Sequence, residues 1–273
     1  MTNADRAAQH DVKRTFTRLA THQFRYDLRA FFRNRQSQFF TLALPVLFLI
    51  IFASVFGGHD RTVAVAGGHI DTAVSYVPGI MTLGLIAAAF INLVISVIAQ
   101  REAGVLKRRR ATPVPAGAII AGRALTGVVT ALGIAGLLLV IGWAAFDAHV
   151  PARTAPALGL TIVVGALSFC CLGYALASLV RDADAAQPVT QAVMLPLYFI
   201  SGVFVPVSTL PHWLLNIATV FPVRHLAAAL LTAYNPHTRG SGLATGDLLI
   251  VAAWGAGGLI VALRRFTWNP RGH

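Results

Sequence analysis

The residues that could carry covalent or metal chemistry are few and scattered along the chain. The two lysines, Lys13 and Lys107, are each followed by arginine, and no HExxH or CxxC motif occurs. A P-loop needs lysine followed by Ser or Thr after a glycine-rich run, so we expect no ATP-hydrolysing site in this chain. The two cysteines are the adjacent pair Cys170 and Cys171 in an apolar run, which excludes a disulfide framework and indicates buried thiols. These patterns predict no catalytic residue, no metal site and no cofactor bound by the chain itself.

The overall composition indicates a lipid environment. Of the 273 residues, 56% are hydrophobic and only 12% are charged, and the mean hydropathy is +0.68. A soluble domain would carry about a quarter charged residues. A chain with so few charges has too little polar surface to cover itself in water.

Six apolar runs are long enough to cross a bilayer as helices, which requires about 20 predominantly apolar residues each. No Asp, Glu, Lys or Arg lies in the central part of any run. Arg123, near the start of the third run, is close enough to the interface for its side chain to snorkel to the headgroups. The predicted fold is an all-α integral membrane protein with six transmembrane helices, at 39–57, 76–99, 118–146, 157–180, about 187–205 and 248–263.

Basic residues concentrate on one side of these predicted spans. The N-terminal segment, the loop 100–117, the connection after the fourth span and the C-terminal tail together hold 17 Lys and Arg residues, whereas the opposite segments hold four. The positive-inside rule places the crowded side in the cytoplasm, so both termini are predicted to be cytoplasmic. Membrane orientation also explains the net charge of +12 better than a nucleic-acid partner does.

The polar N-terminal segment contains an apolar pattern at roughly helical spacing, formed by Phe16, Leu19, Phe24, Leu28 and Phe31 between arginines. We interpret it as an amphipathic helix along the cytoplasmic interface, with a solvated arm as the alternative. Because nearly forty polar, basic residues precede the first span, we expect no signal peptide. The predicted organisation is a cytoplasmic arm at 1–38, a membrane domain at 39–263 and a cytoplasmic tail at 264–273.

The segment 207–240, between the fifth and sixth predicted spans, is ambiguous. Residues 212–234 are apolar enough for a seventh span, but a proline and two basic side chains at 222–225 interrupt them. A seventh crossing would also place Arg264 and Arg265 outside the cytoplasm, against the charge rule. We interpret the segment as a re-entrant or interfacial pair of short helices on the outer face.

Two motifs go beyond generic membrane sequence. Residues 100–117 read QREAGVLKRRRATPVPAG, and residues 194–214 read MLPLYFISGVFVPVSTLPHWL. The first resembles the cytoplasmic loop of the ABC type-2 transporter permeases, usually ERE-x-G-T-L-E-x-L-x-x-T-P, and the second resembles the fifth-span signature of that family. The chain is similar to the bacterial daunorubicin-type drug-resistance permeases. Gln100, Val105 and Phe221 depart from the family's usual Glu, Thr and Asn.

The resemblance implies that the loop after span two forms a short coupling helix that docks on a separate nucleotide-binding subunit. Arg101 and Glu102 would make charge-assisted bonds across that interface, and Leu106 would fill an apolar notch. The basic run 107–110 would either join this contact or act as a topology signal against anionic lipid. The predicted coupling residues are Arg101, Glu102, Gly104, Leu106, Thr112 and Pro113.

Spans two and five line the transport path in the family, so the resemblance also implies substrate-facing residues. The candidates are Phe90, Asn92, Met194, Phe199 and Phe204, with packing or lipid contact as the alternative for all but Asn92, a mid-span amide that needs a partner. A hinge or outer gate is expected where span five can flex. Its candidates are Pro196, Ser201, Gly202, Pro206, Pro211 and Trp213.

The implied function is the permease half of an ATP-driven exporter in the bacterial cytoplasmic membrane. Two permease copies, or one copy and a related chain, would join two P-loop ABC ATPase subunits that bind ATP and Mg. An apolar path without fixed charges suits a small amphipathic drug or a membrane lipid. The alternatives are a polysaccharide or glycolipid exporter with the same fold, and a membrane scaffold or lipid-modifying enzyme.

Overall fold

Helices dominate the computed structural model, which describes residues 19, 21–30, 32–33, 35–57, 61–105, 116–205, 207 and 210–265. Within these ranges two short strands, β1 (Thr62–Val65) and β2 (Gly68–Asp71), form one hairpin. The helices, in chain order, are α1 at 21–30; α2, which continues from Arg35–Gln38 through a π-helical turn at Phe39–Ala43 into Leu44–Phe56; α3, Thr72–Glu102, with a π-helical turn at Ala87–Ile91; α4, Ala116–Phe146; α5, Ala155–Leu179; α6, Ala183–Ile200; α7, His212–Ala218; α8, Pro222–Tyr234; and α9, Thr245–Arg265.

Four of the described helices, α3, α4, α5 and α9, are long and apolar enough to cross a membrane. The pair α7–α8 would add a fifth crossing if it were one broken span. The apolar part of α2, Thr41–Phe56, is shorter, and α6 carries Asp184 and two glutamines in its first half. Each of the six predicted runs overlaps one of these helices. Six membrane crossings and cytoplasmic termini remain predictions.

The helix of the predicted fifth span is displaced from the run 187–205. Helix α6 begins at Ala183 and ends at Ile200, so the last five residues of the run form a turn. Gly202 in that turn has φ +85°, a left-handed conformation that ends a right-handed helix. The prediction was wrong here because the apolar run continues beyond the residue that stops the helix.

Helix α5 packs against α3, α4, α8 and α9. Two glycines of α9 allow close approach to α5. A Cβ added at Gly255 would lie 2.7 Å from the Ser168 Oγ, and one at Gly258 would lie 3.0 Å from the Leu172 Cα. Small residues at such contacts let membrane helices gain packing contacts that longer side chains would prevent.

A short β-hairpin, which the sequence analysis did not predict, accompanies a mostly helical fold that agrees with the predicted all-α class. Its strands pair antiparallel, with Thr62 opposite Asp71 and Val65 opposite Gly68. The hairpin is tied to the loop after α8, because Asn235 Nδ2 donates to the Ala66 carbonyl at 2.9 Å. The two-residue turn is Ala66-Gly67, in which Gly67 has φ +91°; glycine in such a turn is a hairpin signal, which the apolar runs on either side obscured.

The segment 207–240 contains the two predicted short helices. Helices α7 and α8 meet at a bend of 98° that falls between Ala218 and Pro222. Proline at the first turn of α8 fits because its missing N–H would have no partner there. The bend is compatible with a re-entrant loop and with a broken span, so the re-entrant arrangement stays a prediction.

Candidate substrate and coupling sites

A cavity of about 620 Å³ lies between α2, α3 and α6 and is lined by Phe48, Phe52, Tyr198, Phe199 and Phe204; we name it the aromatic cavity. In its wall, the ring of Phe204 lies at the centre of an aromatic cluster. Its centroid is 5.6 Å from that of Phe52, in a stacked arrangement, and 5.2 Å from that of Phe199. The volume is within the range of about 300–1,000 Å³ that is typical of sites for drug-sized ligands.

The structure brings three of the five predicted substrate-facing residues to this cavity. Asn92, Phe199 and Phe204 line it, and the Asn92 amide donates to the Thr41 Oγ1 on α2 at 2.5 Å, across a helix interface. The other two lie in the packed core. Phe90 is 3% exposed and meets Phe169 edge to face, and Met194 is 4% exposed.

A second cavity, of about 250 Å³, lies among α1, α3, α4 and α5; we name it the polar cavity. Arg123, which is 7% exposed, lies in its wall. The guanidinium donates to the Ser96 Oγ at 2.9 Å and to the Gln100 Oε1, and its Nε lies 3.7 Å from the Asp27 Oδ2. The expectation that Arg123 snorkels to the headgroups was therefore wrong, because its partners lie on α3 and α1.

Three polar side chains of α3 separate the two cavities. Asn92, Ser96 and Gln100 recur at a spacing of four residues and line both the aromatic and the polar cavity. Residues at that spacing share one face of a helix. Of these three residues, only Asn92 was predicted to face the substrate. The spacing of four residues within an apolar run was the signal that could have identified Ser96 and Gln100 as well.

The predicted coupling residue Arg101 is completely buried. Its Nη1 donates to the Ala177 carbonyl at 3.0 Å, and its Nη2 donates to the Val180 and Arg181 carbonyls at 2.8 and 2.6 Å. Carbonyls at the end of a helix have no partner within that helix, so Arg101 caps the end of α5. Because its Nε donates to Glu102, all three guanidinium nitrogens are used within the chain, which does not fit the predicted direct contact with another subunit.

The rest of the predicted coupling loop is only partly described. The Glu102 side chain is 23% exposed and pairs with the Arg101 Nε at 3.0 Å. Gly104 has φ +68°, and nothing lies within 4 Å of a Cβ built there. Three predicted coupling residues lie outside the described residues: Leu106, Thr112 and Pro113.

The predicted hinge residues surround the end of α6. Pro196 lies within α6, and the Oγ of the completely buried Ser201 has no hydrogen-bond partner among the described residues. A Cβ on Gly202 would lie 2.6 Å from the Val207 Cγ2. Of the remaining candidates, Pro211 precedes α7, Trp213 is 65% exposed, and Pro206 lies outside the described residues.

A contact between α8 and α9 was not expected from the sequence. The Nδ1 of His225 lies 2.6 Å from the Asp247 Oδ1, and its Nε2 lies 2.8 Å from the Thr219 carbonyl oxygen. The His225 ring thus connects the first turn of α9 to the bend between α7 and α8.

Comparison with known proteins agrees with the resemblance carried by the two motifs. The family model described as ABC-2 type transporter matches residues 21–234. The chain is 29% identical over 150 residues to the probable multidrug ABC transporter permease YbhR of Escherichia coli (strain K12). This match covers 55% of this chain and 40% of YbhR. It is 27% identical over 190 residues to the daunorubicin resistance ABC transporter permease protein DrrB1 of Streptomyces coeruleorubidus. This second match covers 68% of this chain and 64% of DrrB1. The matched regions thus span less than two thirds of either relative. Because the family model covers most of the chain and most of its long apolar helices, this multi-pass membrane protein belongs to the ABC-2 type transporter family.

Proposed function

We propose that this chain is the permease subunit of an ATP-driven exporter in the bacterial cytoplasmic membrane, with both ends of the chain in the cytoplasm. Two copies, or one copy and a related chain, assemble with two P-loop ABC ATPase subunits, which bind ATP and Mg. The cargo is an amphipathic drug or a lipid. Family membership supports this proposal, as do the two relatives, both of which are named as ABC transporter permeases.

The aromatic cavity is the observation that carries the choice of cargo. None of its described lining residues is charged, and the polar groups in its wall include Asn92, Gln187 and Gln191. An ion would lose its hydration there without a compensating charge, and a sugar would leave many hydroxyls without partners. An amphipathic molecule loses little hydration and gains contact with aromatic rings.

The contacts of Arg101 suggest how the ATPase subunit moves the cavity. Arg101 ties the end of α3 to the end of α5, so a force on the loop that follows Glu102 acts on both helices together. Helix α3 forms one wall of the aromatic cavity, and α6, which forms another, begins three residues after Val180. Closure of the ATPase subunits would therefore change the width of the cavity.

The first test is to tag the chain, extract it gently from native membranes and identify what copurifies. A stoichiometric P-loop ATPase would support the half-transporter. A clean preparation without any ATPase, in detergents that preserve such complexes, would contradict it and favour a scaffold or an enzyme.

A second test measures transport by the reconstituted complex, with an uncharged fluorescent drug and a fluorescent phosphatidylcholine as probes. Phe204→Ala should lower ATP-dependent export roughly two- to tenfold, because a clustered aromatic ring contributes about 0.5–1.5 kcal/mol beyond its area. The control is Phe39→Ala, which removes an exposed ring of α2 outside the cavity and should change export less than about twofold. Equal effects of the two substitutions would exclude this cavity as the path.

Orientation is tested with single cysteines in a chain in which Cys170 and Cys171 are replaced by alanine. Gly240→Cys and Gly104→Cys are a matched pair, since both glycines have positive φ and open space around a Cβ. In intact cells an impermeant thiol reagent should label Gly240→Cys and leave Gly104→Cys unlabelled. Labelling of Gly104→Cys would overturn the orientation.

A further inference from the structure

The polar cavity adjoins the proposed transport path and has no assigned role in it. It shares Asn92, Ser96 and Gln100 with the aromatic cavity, so one stripe of α3 contacts the contents of both. Both walls are mainly apolar, but among the described lining residues charged side chains occur only in the polar cavity, as the pair Arg123 and Asp27. An uncharged, largely aromatic compartment beside one that contains an ion pair matches the two parts of an amphiphile.

We propose that the cargo is an amphiphile whose polar head carries no net charge, with the head in the polar cavity and the apolar body in the aromatic cavity. This inference rests on the proposed export function and names its substrate class. An uncharged hydroxylated head and a zwitterionic head both satisfy it.

The charges of the polar cavity support a head without net charge. Arg123 and Asp27 are the two charged residues in its described lining, and their side chains lie 3.7 Å apart. They are 7% and 12% exposed, so each already neutralises the other in a largely water-excluded place. An added net charge would have no partner there, and a buried unpaired charge is strongly unfavourable.

Hydrogen-bonding groups that remain available favour a polar head over an apolar one. Gln100 accepts from Arg123 through Oε1, which leaves its amide nitrogen to donate. The Ser96 Oγ accepts from Arg123 and keeps its own hydrogen for donation. The Thr126 and Thr130 hydroxyls donate to carbonyls of their own helix and retain lone pairs that accept.

Binding to the purified complex in nanodiscs, without ATP, tests the head preference directly. The probes are four fluorescent amphiphiles with the same dodecyl body and with glycerol, phosphocholine, trimethylammonium or sulfate heads. The glycerol and phosphocholine probes should bind at least roughly tenfold more tightly than the other two, equivalent to about 1.4 kcal/mol. Equal affinity for all four heads, or a preference for either charged head, would overturn the proposal.

Charge substitutions should then move the preference in opposite directions. Arg123→Gln leaves Asp27 alone and should shift preference roughly tenfold towards trimethylammonium, whereas Asp27→Asn should shift it towards sulfate. The double variant should restore the original order. Gln100→Glu adds a negative charge while it keeps the acceptor for Arg123. If Arg123→Gln fails to fold, Gln100→Glu should instead shift the preference towards the trimethylammonium head.

The matched control is Asp184→Asn, which removes an exposed carboxylate outside both cavities and should leave the order unchanged. The same shift in Asp184→Asn as in Asp27→Asn would assign the effect to surface charge and contradict the proposal. This assay uses no ATP, so its outcome is distinct from failure of the export function. Selective binding with no ATP-dependent export in the transport assay would contradict the function and not the head preference.

Discussion

The end of α3 at Arg101 and the contact between α8 and α9 at His225 differ in how many hydrogen bonds hold them. Both bury a nitrogen-bearing side chain against backbone carbonyls, since Arg101 is 0% exposed and His225 is 8% exposed. The Arg101 guanidinium donates to three carbonyls at the end of α5 and to Glu102, so all three of its nitrogens are used. The His225 ring has only two nitrogens, one against the Asp247 carboxylate and one against the Thr219 carbonyl. We therefore call the Arg101 junction, next to the predicted coupling loop, the fixed joint, and we expect the His225 contact beside the α7–α8 bend to be the weaker of the two.

The largest expected effect comes from breaking the fixed joint. Arg101→Met should lower the free energy of unfolding by about 3–5 kcal/mol, because it leaves the carbonyls of Ala177, Val180 and Arg181 without their buried donor. Thermal or denaturant unfolding in detergent measures the loss. The neighbouring exposed Arg181→Met should change stability by less than about 0.5 kcal/mol. Similar losses in both variants would contradict the fixed joint.

A smaller effect is expected at the contact between His225 and Asp247. His225→Ala and Asp247→Ala should each lower the free energy of unfolding by about 1–3 kcal/mol, since each leaves a partly buried polar group without its partner. The double variant should cost less than the sum of the two, because the second substitution removes the group that the first left unpaired. Strict additivity, measured by the same unfolding assay, would show that the two side chains do not act as a pair.

A smaller effect again is expected at the turn after α6. Gly202→Ala combines an unfavourable positive φ with a contact of 2.6 Å to the Val207 Cγ2, and should destabilise by about 1–2 kcal/mol. Gly240→Ala has the same φ strain without a neighbouring atom, so the difference between the two isolates the contact. Val207→Ala should recover part of the loss in the Gly202→Ala background. Equal losses with no recovery would mean that Val207 does not restrict this turn.

The smallest effect on stability, with a larger effect on transport, is expected at Glu102. Its side chain is partly exposed, so Glu102→Ala should change stability by less than about 1 kcal/mol. Export by the assembled complex should fall several-fold, because Glu102 is the described polar side chain nearest in the chain to the loop that we propose contacts the ATPase. Glu102→Gln keeps an acceptor for Arg101 but removes the negative charge. Comparison of the Gln and Ala variants therefore distinguishes loss of the charge from loss of the hydrogen bond. Unchanged export by a normally assembled Glu102→Arg complex would refute the coupling proposal.

Periodicity predicted the helices better than it predicted the role of individual side chains. Long apolar runs with charges only at their ends define α3, α4, α5 and α9, because a bilayer span demands continuous hydrophobicity. Arg101 lies in the motif that identified the family, yet its partners are carbonyls 76 to 80 positions away in the chain. Hydropathy contains no information on such distant pairs.

The same limit explains the two cavities. Asn92 was recognisable as a mid-span amide from the sequence. The roles of Asp27 and Gln100 are evident only from the structure, in which Arg123 contacts both and Gln23 donates to Asp27. Phe90 and Phe204 look alike in an apolar run, and only packing places Phe90 in the core and Phe204 in the aromatic cavity. A ring that lines a cavity and a ring that fills a core have the same hydrophobicity.

The sequence by itself determined the membrane class, the positions of the long helices and the family. These depend on composition, on local periodicity and on motifs that are contiguous in the chain. Tertiary structure alone decided that Arg101 caps α5, that α6 ends at Ile200, and that His225 meets Asp247. Each of these depends on backbone geometry or on atoms brought together from distant parts of the chain, and a one-dimensional pattern encodes neither.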